Sequence, residues 1–209
     1  MNRSQLELYA VTDRRWLVGR TLPEAVREAL EGGATMIQLR EKSMERDAML
    51  REAREIGAIC RSFNVPFIID DDVETALECG ADGVHVGQED MEAGLVRRRV
   101  GKNRIVGVSA HSVEEALRAQ AAGADYLGCG AVFPTATHDR PHDLPIPVLR
   151  DICRAVSIPV AAIGGIKLEN VDQLAGTGIA GVAVVTALFA AADVRESARR
   201  MREKLRSVL

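Results

Sequence analysis

Aromatic residues are scarce in this chain: one tryptophan, two tyrosines and four phenylalanines among 209 residues. Trp16 and Tyr9 would supply at most one exposed ring, so there is no platform on which successive bases would stack. A formal net charge of −3 and a pI near 5.9 remove the basic excess that nucleic-acid surfaces carry. The run Arg97, Arg98, Arg99 is short and reads as the solvated face of a helix. Cysteine is also sparse. Cys60, Cys79, Cys129 and Cys153 form no CxxC pair and no Cys/His spacing, which excludes a structural zinc site and leaves buried free thiols. No apolar run approaches the roughly 20 residues of a membrane span, and "MNRSQLELYAVTDRR" lacks the apolar core of a signal peptide. The expectation is a soluble, cytoplasmic protein with neither a membrane nor a nucleic-acid partner. Charge blocks, low-complexity tracts and Ser/Pro-rich linkers are missing too, so residues 1–209 read as one domain.

What is present is a rhythm. Short β-rich runs, "LELYAVTD", "TMIQLRE", "PFIID", "GVHVG", "RIVGVSA", "YLGCGAVF", "PVAAIGG" and "GVAVVTAL", alternate with amphipathic stretches of helical spacing. Those stretches include "TLPEAVREALEGG", "MEAGLVRRRVG", "KLENVDQLAGTG" and "DVRESARRMREKLRSVL". Three of the helices end in similar phrases, "EGGATMIQL", "ECGADGVHV" and "AAGADYLGC", as tight turns into a strand require. Eight strand and helix units with no leftover segment predict an α/β fold: a closed (β/α)8 TIM barrel of parallel strands. Chemistry in such a barrel sits where strands end and helices begin.

Those ends are polar. Alternation along "IQLREK" puts Gln38, Arg40 and Lys42 on one side and Leu39 and Glu41 on the other. A planar guanidinium and a point-like ammonium beside an amide suit a diphosphate. In "IIDDDVETAL", Asp72 suits a helix N-cap, whereas Asp71 is matched by Asp90 of "HVGQED", at the equivalent rim of the next strand. Two carboxylates from adjacent loops can hold Mg2+ while substrate phosphates complete its shell. "AIGGIKLEN" and "VVTALF" end strands seven and eight, the recurrent phosphate seat of this fold. His85 in "GVHVG" reads as a packed barrel residue. His111 reads either as a group facing substrate or as part of a helix cap beside Ser112.

Seven blocks, "LYAVTDR", "IQLREK", "GADGVHVGQED", "GVSAHSVEEA", "GADYLGCGAVFPTAT", "IPVAAIGGI" and "GVAVVTALF", together resemble the thiamine phosphate synthase family, in family order over nearly the whole chain. The resemblance implies Mg2+-dependent joining of hydroxymethylpyrimidine diphosphate to hydroxyethylthiazole phosphate, giving thiamine phosphate and pyrophosphate. It implies that the block Gln38, Leu39, Arg40, Glu41 and Lys42, together with Asp70 and Ser109, binds the pyrimidine diphosphate. Asp71 and Asp90 would ligate Mg2+; Thr135, Ala136, Thr137, His138, Gly165, Val185 and Thr186 would bind the thiazole phosphate. Arg40, Lys42, Ser109 and His138 are the residues expected to act on the reacting groups.

Two positions depart from the family pattern, which usually has Asn at 70 and Lys at 138 where this chain has Asp70 and His138. "DRPHDLPIP" also replaces a more glycine-rich approach to the sixth helix, with Arg140, His142 and Asp143 read as a solvated loop. These departures keep two alternatives open: a thiazole tautomerase-like isomerase using His111 or His138, and a non-catalytic binder of thiamine phosphates. Barrels of this kind commonly associate through their exteriors into homo-oligomers, but the sequence marks no interface.

Overall fold

The structure, a computed structural model, describes residues 1–17, 19–135 and 143–209. Its strands are β1 (Leu8–Val11), β2 (Met36–Leu39), β3 (Phe67–Asp70), β4 (Gly83–Val86), β5 (Ile105–Ser109), β6 (Tyr126–Cys129), β7 (Val160–Ile163) and β8 (Gly181–Val184). They pair in chain order, all parallel, and β8 returns to β1 to close the barrel. Tyr9 of β1 aligns with Met36 on one side and Ala183 on the other.

The period-two side-chain alternation of a strand decides what each residue touches. Leu8, Ala10, Ile37, Leu39, Phe67, Ile69, Val84 and Val106 point outward and pack with the apolar stripes of the surrounding helices. Tyr9, Val11, Met36, Ile68, Tyr126, Ala161 and Ala183 point inward and fill the barrel. Burying each large aliphatic side chain in these layers contributes about 1.5–3 kcal/mol. The helices are α1 (Leu22–Glu31), α2 (Arg46–Ser62), α3 (Val73–Cys79), α4 (Ala93–Val100), α5 (Val113–Ala121), α6 (Ile146–Ala155), α7 (Thr186–Phe189) and α8 (Val194–Leu205). A 3-10 turn, Arg3–Leu6, closes the lower mouth, with Leu6 fully buried and Arg3 donating to the Gly178 and Ile179 carbonyls at 2.8 and 2.6 Å.

The three repeated phrases have a common structure. Gly33, Gly80 and Gly123 take positive φ of 103°, 72° and 94° where the chain leaves its helix. The alanine that follows each, Ala34, Ala81 or Ala124, is buried and donates its amide to a helix carbonyl five residues back. The third residue then reaches the neighbouring strand. Thr35 accepts from the Leu8 amide at 2.9 Å, Asp82 from the Phe67 amide at 2.9 Å and Asp125 from the Val106 amide at 2.8 Å.

Four sequence expectations change. The helix expected in "KLENVDQLAGTG" is one 3-10 turn, Val171–Leu174, because Gly176 and Gly178 adopt left-handed φ of 71° and 91° directly after it. Strand eight stops at Val184, and "TALF" becomes the short helix α7. Tyr9 is a buried barrel-filling residue and presents no ring to solvent. Arg97 is a structural clamp, donating to the carbonyls of Gly101, Arg104 and Gly123 and pairing with Asp125, while Arg98 and Arg99 are exposed. All four cysteines are free; burial pushes the Cys60 thiol up to about 12 and Cys153 to about 11. Among the described residues, no helix is long and apolar enough to cross a membrane.

Candidate active site

Inward-facing polar residues near the C-terminal ends of three strands come together at the upper mouth. Gln38 from β2, Asp70 from β3 and Ser109 from β5 share that parity. Beyond β2, Arg40 Nε lies 3.5 Å and Lys42 Nζ 3.4 Å from the same Oδ2 of Asp70, and Lys42 also contacts Asp71 Oδ2. Thr12 fixes this corner: its amide donates to the Gln38 carbonyl at 2.9 Å, and its hydroxyl accepts from the Arg40 amide at 3.0 Å.

The three aspartates diverge at once. Asp72 caps α3, accepting from the Thr75 amide at 2.9 Å and hydroxyl at 2.6 Å. Asp70 ends the strand facing inward. Asp71, between them, takes φ of 60°, a left-handed conformation that aspartate tolerates better than most residues, and its amide donates to the His85 carbonyl at 2.8 Å. The carboxyls of Asp71 and Asp90 meet in a hydrogen bond. Burial, the Asp70 charge and that contact push Asp71 up to about 6, against the pull of Lys42. Burial opposes the Asp90 charge, but the Asp71 hydrogen bond, the Gly87 amide and Lys42 together hold Asp90 below the ordinary carboxylate value.

Two neighbouring carboxyls beside a lysine form an anionic site that a divalent cation fits. Among the described residues, no three His, Cys, Asp or Glu side chains form a complete metal cage. Mg2+ needs none, because it is usually held by one or two carboxylates with water and phosphate oxygens filling its remaining positions.

Other residues of the sequence reading have different surroundings. Leu39 is fully buried in the layer between barrel and helices, so only its backbone reaches the rim. Glu41 pairs with Arg14, which also holds Glu52 at 2.6 Å, and this keeps the β2 loop against α2. Gln88 Nε2 donates to the Ser109 carbonyl at 2.5 Å, joining the β4 and β5 loops. The His111 amide and ring nitrogen both lie on Glu115 Oε2, at 2.7 and 3.2 Å, which ties this histidine, just before the Ser112 cap, to the first turn of α5. Gly165, with φ of 62°, packs so tightly on the β6 loop that a Cβ there would lie 2.4 Å from the Pro134 carbonyl oxygen. Asn170 secures it from the other side, donating to the Gly165 carbonyl at 2.9 Å. Val185 immediately precedes α7, and Thr186 is its first residue. Thr135 is half-buried at the end of the β6 loop, while Ala136, Thr137, His138, Arg140 and His142 lie outside the described residues.

Comparison with known proteins agrees with this arrangement. The sequence model of the family described as thiamine monophosphate synthase matches residues 8–188. The chain belongs to the thiamine monophosphate synthase family. It is 47% identical over 196 residues to the thiamine-phosphate synthase of Ruminiclostridium cellulolyticum, covering 94% of this chain and 93% of that protein. It is 46% identical over 209 residues to the thiamine-phosphate synthase of Pyrococcus abyssi, covering 99% and 98% of the two. The solved structure of thiamine phosphate pyrophosphorylase from Pyrococcus furiosus superposes with a TM-score of 0.91 at 42% identity, over 99% of this chain and 98% of that one.

Within a thiamine monophosphate synthase, the Asp70 departure has a definite electrostatic setting. Its carboxylate draws Arg40 and Lys42 onto β3 and adds negative charge beside Asp71. Sequence reasoning missed Tyr9 and Tyr126. Tyr9 Oη receives the Gln38 amide at 2.7 Å and lies 2.7 Å from Tyr126 Oη, which is 3.0 Å from His85 Nδ1. Inward parity in "LYAV", "GVHV" and "YLGC" was the available signal, since polar groups sent into a barrel interior need partners there.

Proposed function

We propose that this protein is a thiamine-phosphate synthase, a transferase that joins hydroxymethylpyrimidine diphosphate to hydroxyethylthiazole phosphate with Mg2+ held by Asp71 and Asp90. The observation that carries the proposal is the convergence of those two carboxyls with Arg40 and Lys42 above Gln38 and Ser109. In the reaction, the bond between the pyrimidine methylene carbon and the diphosphate oxygen breaks with its electron pair leaving on oxygen. The lone pair of the thiazole nitrogen then forms the new carbon–nitrogen bond.

A methylene cation and a polyanion must separate along this path, so cations have to surround the leaving group beforehand. Asp71 and Asp90 would hold Mg2+, which when bound would supply part of that charge stabilisation. Arg40 offers a planar fork to the diphosphate, and Lys42 is a mobile point charge that can move from Asp70 and Asp71 onto phosphate oxygen. Gln38 and Ser109 orient the pyrimidine from the barrel floor. Thr135, Gly165, Val185 and Thr186, together with Ala136, Thr137 and His138, receive the thiazole phosphate. No covalent nucleophile is required. The isomerase alternative has no observation that favours it over this reading, since a proton shuttle on a thiazole phosphate would leave the convergence of Asp71, Asp90, Arg40 and Lys42 without a role.

Replacing Asp71 tests the metal assignment. Asp71→Ala is expected to lower Mg2+-dependent thiamine phosphate formation by at least about a hundredfold, equivalent to about 2.7 kcal/mol of transition-state stabilisation. Wild-type turnover in that variant would remove Asp71 from the metal site.

A further inference from the structure

The barrel interior contains a continuous polar chain from one side of the candidate site to the other. Gln38 Nε2 lies 2.7 Å from Tyr9 Oη, Tyr9 Oη 2.7 Å from Tyr126 Oη, Tyr126 Oη 3.0 Å from His85 Nδ1, and His85 Nε2 3.0 Å from Ser109 Oγ. Every link except the Ser109 hydroxyl is buried, and Tyr126 is fully so. The barrel is shaped around this chain: a Cβ on Gly107 would lie 2.1 Å from Tyr126 Cζ and 2.5 Å from His85 Nδ1. On the opposite side, a Cβ on Gly128 would come within 3.1 Å of His85 Cε1.

The chain has a direction. An amide NH2 can only donate, a phenol donates one hydrogen, and a neutral imidazole has one donor and one acceptor nitrogen. Gln38 donates to Tyr9, so the Tyr9 hydrogen goes on to Tyr126 and the Tyr126 hydrogen to His85 Nδ1. His85 then carries its proton on Nε2 and donates to Ser109 Oγ. Each His85 ring nitrogen has one partner inside the barrel, Tyr126 on Nδ1 and Ser109 on Nε2, as this sequence of bonds requires. At the two ends, the Gln38 carbonyl oxygen is left to accept and the Ser109 hydroxyl hydrogen is left to donate.

We propose that Tyr9, Tyr126 and His85 form a one-directional hydrogen-bond relay that presents Gln38 as an acceptor and Ser109 as a donor to the bound pyrimidine, making the three of them positioning residues. The inference rests on the synthase function proposed above and extends it. An aminopyrimidine carries an amino donor and acceptor atoms on its ring and diphosphate, so one fixed acceptor and one fixed donor match it in a single orientation. The relay couples the two ends. Reversing either one reverses the whole chain, so the Gln38 carbonyl oxygen is available to the pocket together with the Ser109 hydroxyl hydrogen while the chain is intact.

The test uses the full-length protein and two variants. Tyr126→Phe and Tyr9→Phe each cut the chain while keeping the ring volume. Each is expected to raise KM for the pyrimidine diphosphate about tenfold, the scale of one buried hydrogen bond, with KM for the thiazole phosphate unchanged. Nitrogen-15 NMR of histidine-labelled protein, with His85 assigned by His85→Gln, is expected to show the Nε2–H tautomer in wild type and in Tyr9→Phe. Tyr126→Phe, which removes the donor to Nδ1, is expected to change the tautomer populations. Wild-type His85 found as the Nδ1–H tautomer would overturn the relay, as would unchanged pyrimidine KM in both variants. Absence of thiamine phosphate formation by the wild type would instead remove the synthase function, and the tautomer measurement would still decide the relay.

Discussion

Asp71 combines three properties at one position: a left-handed backbone, contact with Lys42, and a carboxyl raised to about 6 by burial, Asp70 and Asp90. Mg2+ held by this pair, as proposed, would compete with the proton. Its affinity should be full above about pH 6 and fall about tenfold per unit below it. Calorimetric titration of Mg2+ at about pH 5 and pH 7.5 would show this drop, and equal affinities would count against the assignment. The same shift has a sign for stability. A carboxyl whose folded value exceeds its unfolded 3.8 costs the fold most above about 6 and nothing below 3.8, so the metal-free protein bears this cost at neutral pH. Asp71→Asn, which keeps the shape and tolerates the left-handed backbone, should therefore stabilise the metal-free protein at pH 7.5 by about 1 kcal/mol, discounted for partial exposure. A lower Tm for this variant would contradict the charge argument. At this scale the sequence was informative where one residue answers to one local rule: Asp72 before "VETAL" is the helix cap it resembles. The Tyr9, Tyr126 and His85 chain was hidden because its members lie 41 or more positions apart along the sequence and meet only once the barrel closes.

Among the elements, the turns from helix to strand carry the most repeated stabilisation. Asp82 satisfies the Phe67 amide at the start of β3, as Thr35 and Asp125 do for β1 and β5. Asp82→Ala leaves that part-buried amide without its acceptor and should cost about 1–3 kcal/mol in urea denaturation, with little change in pyrimidine KM, since Asp82 lies at the opposite end of the barrel. A stability change within about 0.5 kcal/mol would show that water replaces the carboxylate. The repeat was legible in "GATM", "GADG" and "GADY", although composition explained only its glycines. The ends of β7 and β8 were not legible. A run such as "VVTALF" has both strand and helix propensity, and only its place at the mouth of the barrel turns Thr186–Phe189 into a helix. Likewise "KLENVDQLAG" has helical spacing, but two left-handed glycines leave it a single turn.

For the molecule as a whole, eight parallel strands among the described residues close in chain order and separate the work of the two ends. The lower end is plugged by Arg3–Leu6 and tied by the Thr35, Asp82 and Asp125 bonds, and so serves stability. The upper end gathers Arg40, Lys42, Asp70, Asp71, Asp90 and Ser109. This division was readable from strand and helix alternation, because every strand in a parallel barrel delivers its C-terminal end to the same face. We propose that this face joins a pyrimidine diphosphate to a thiazole phosphate with Mg2+ on the Asp71 and Asp90 carboxyls. Formation of thiamine phosphate by the purified protein from both substrates, followed with Mg2+ and again with excess chelator, tests it most directly. Product is expected with Mg2+, with a loss of at least about a hundredfold in rate without it, reversed on adding the metal back. Equal rates in chelator would contradict the metal role, and no product under either condition would contradict the function itself.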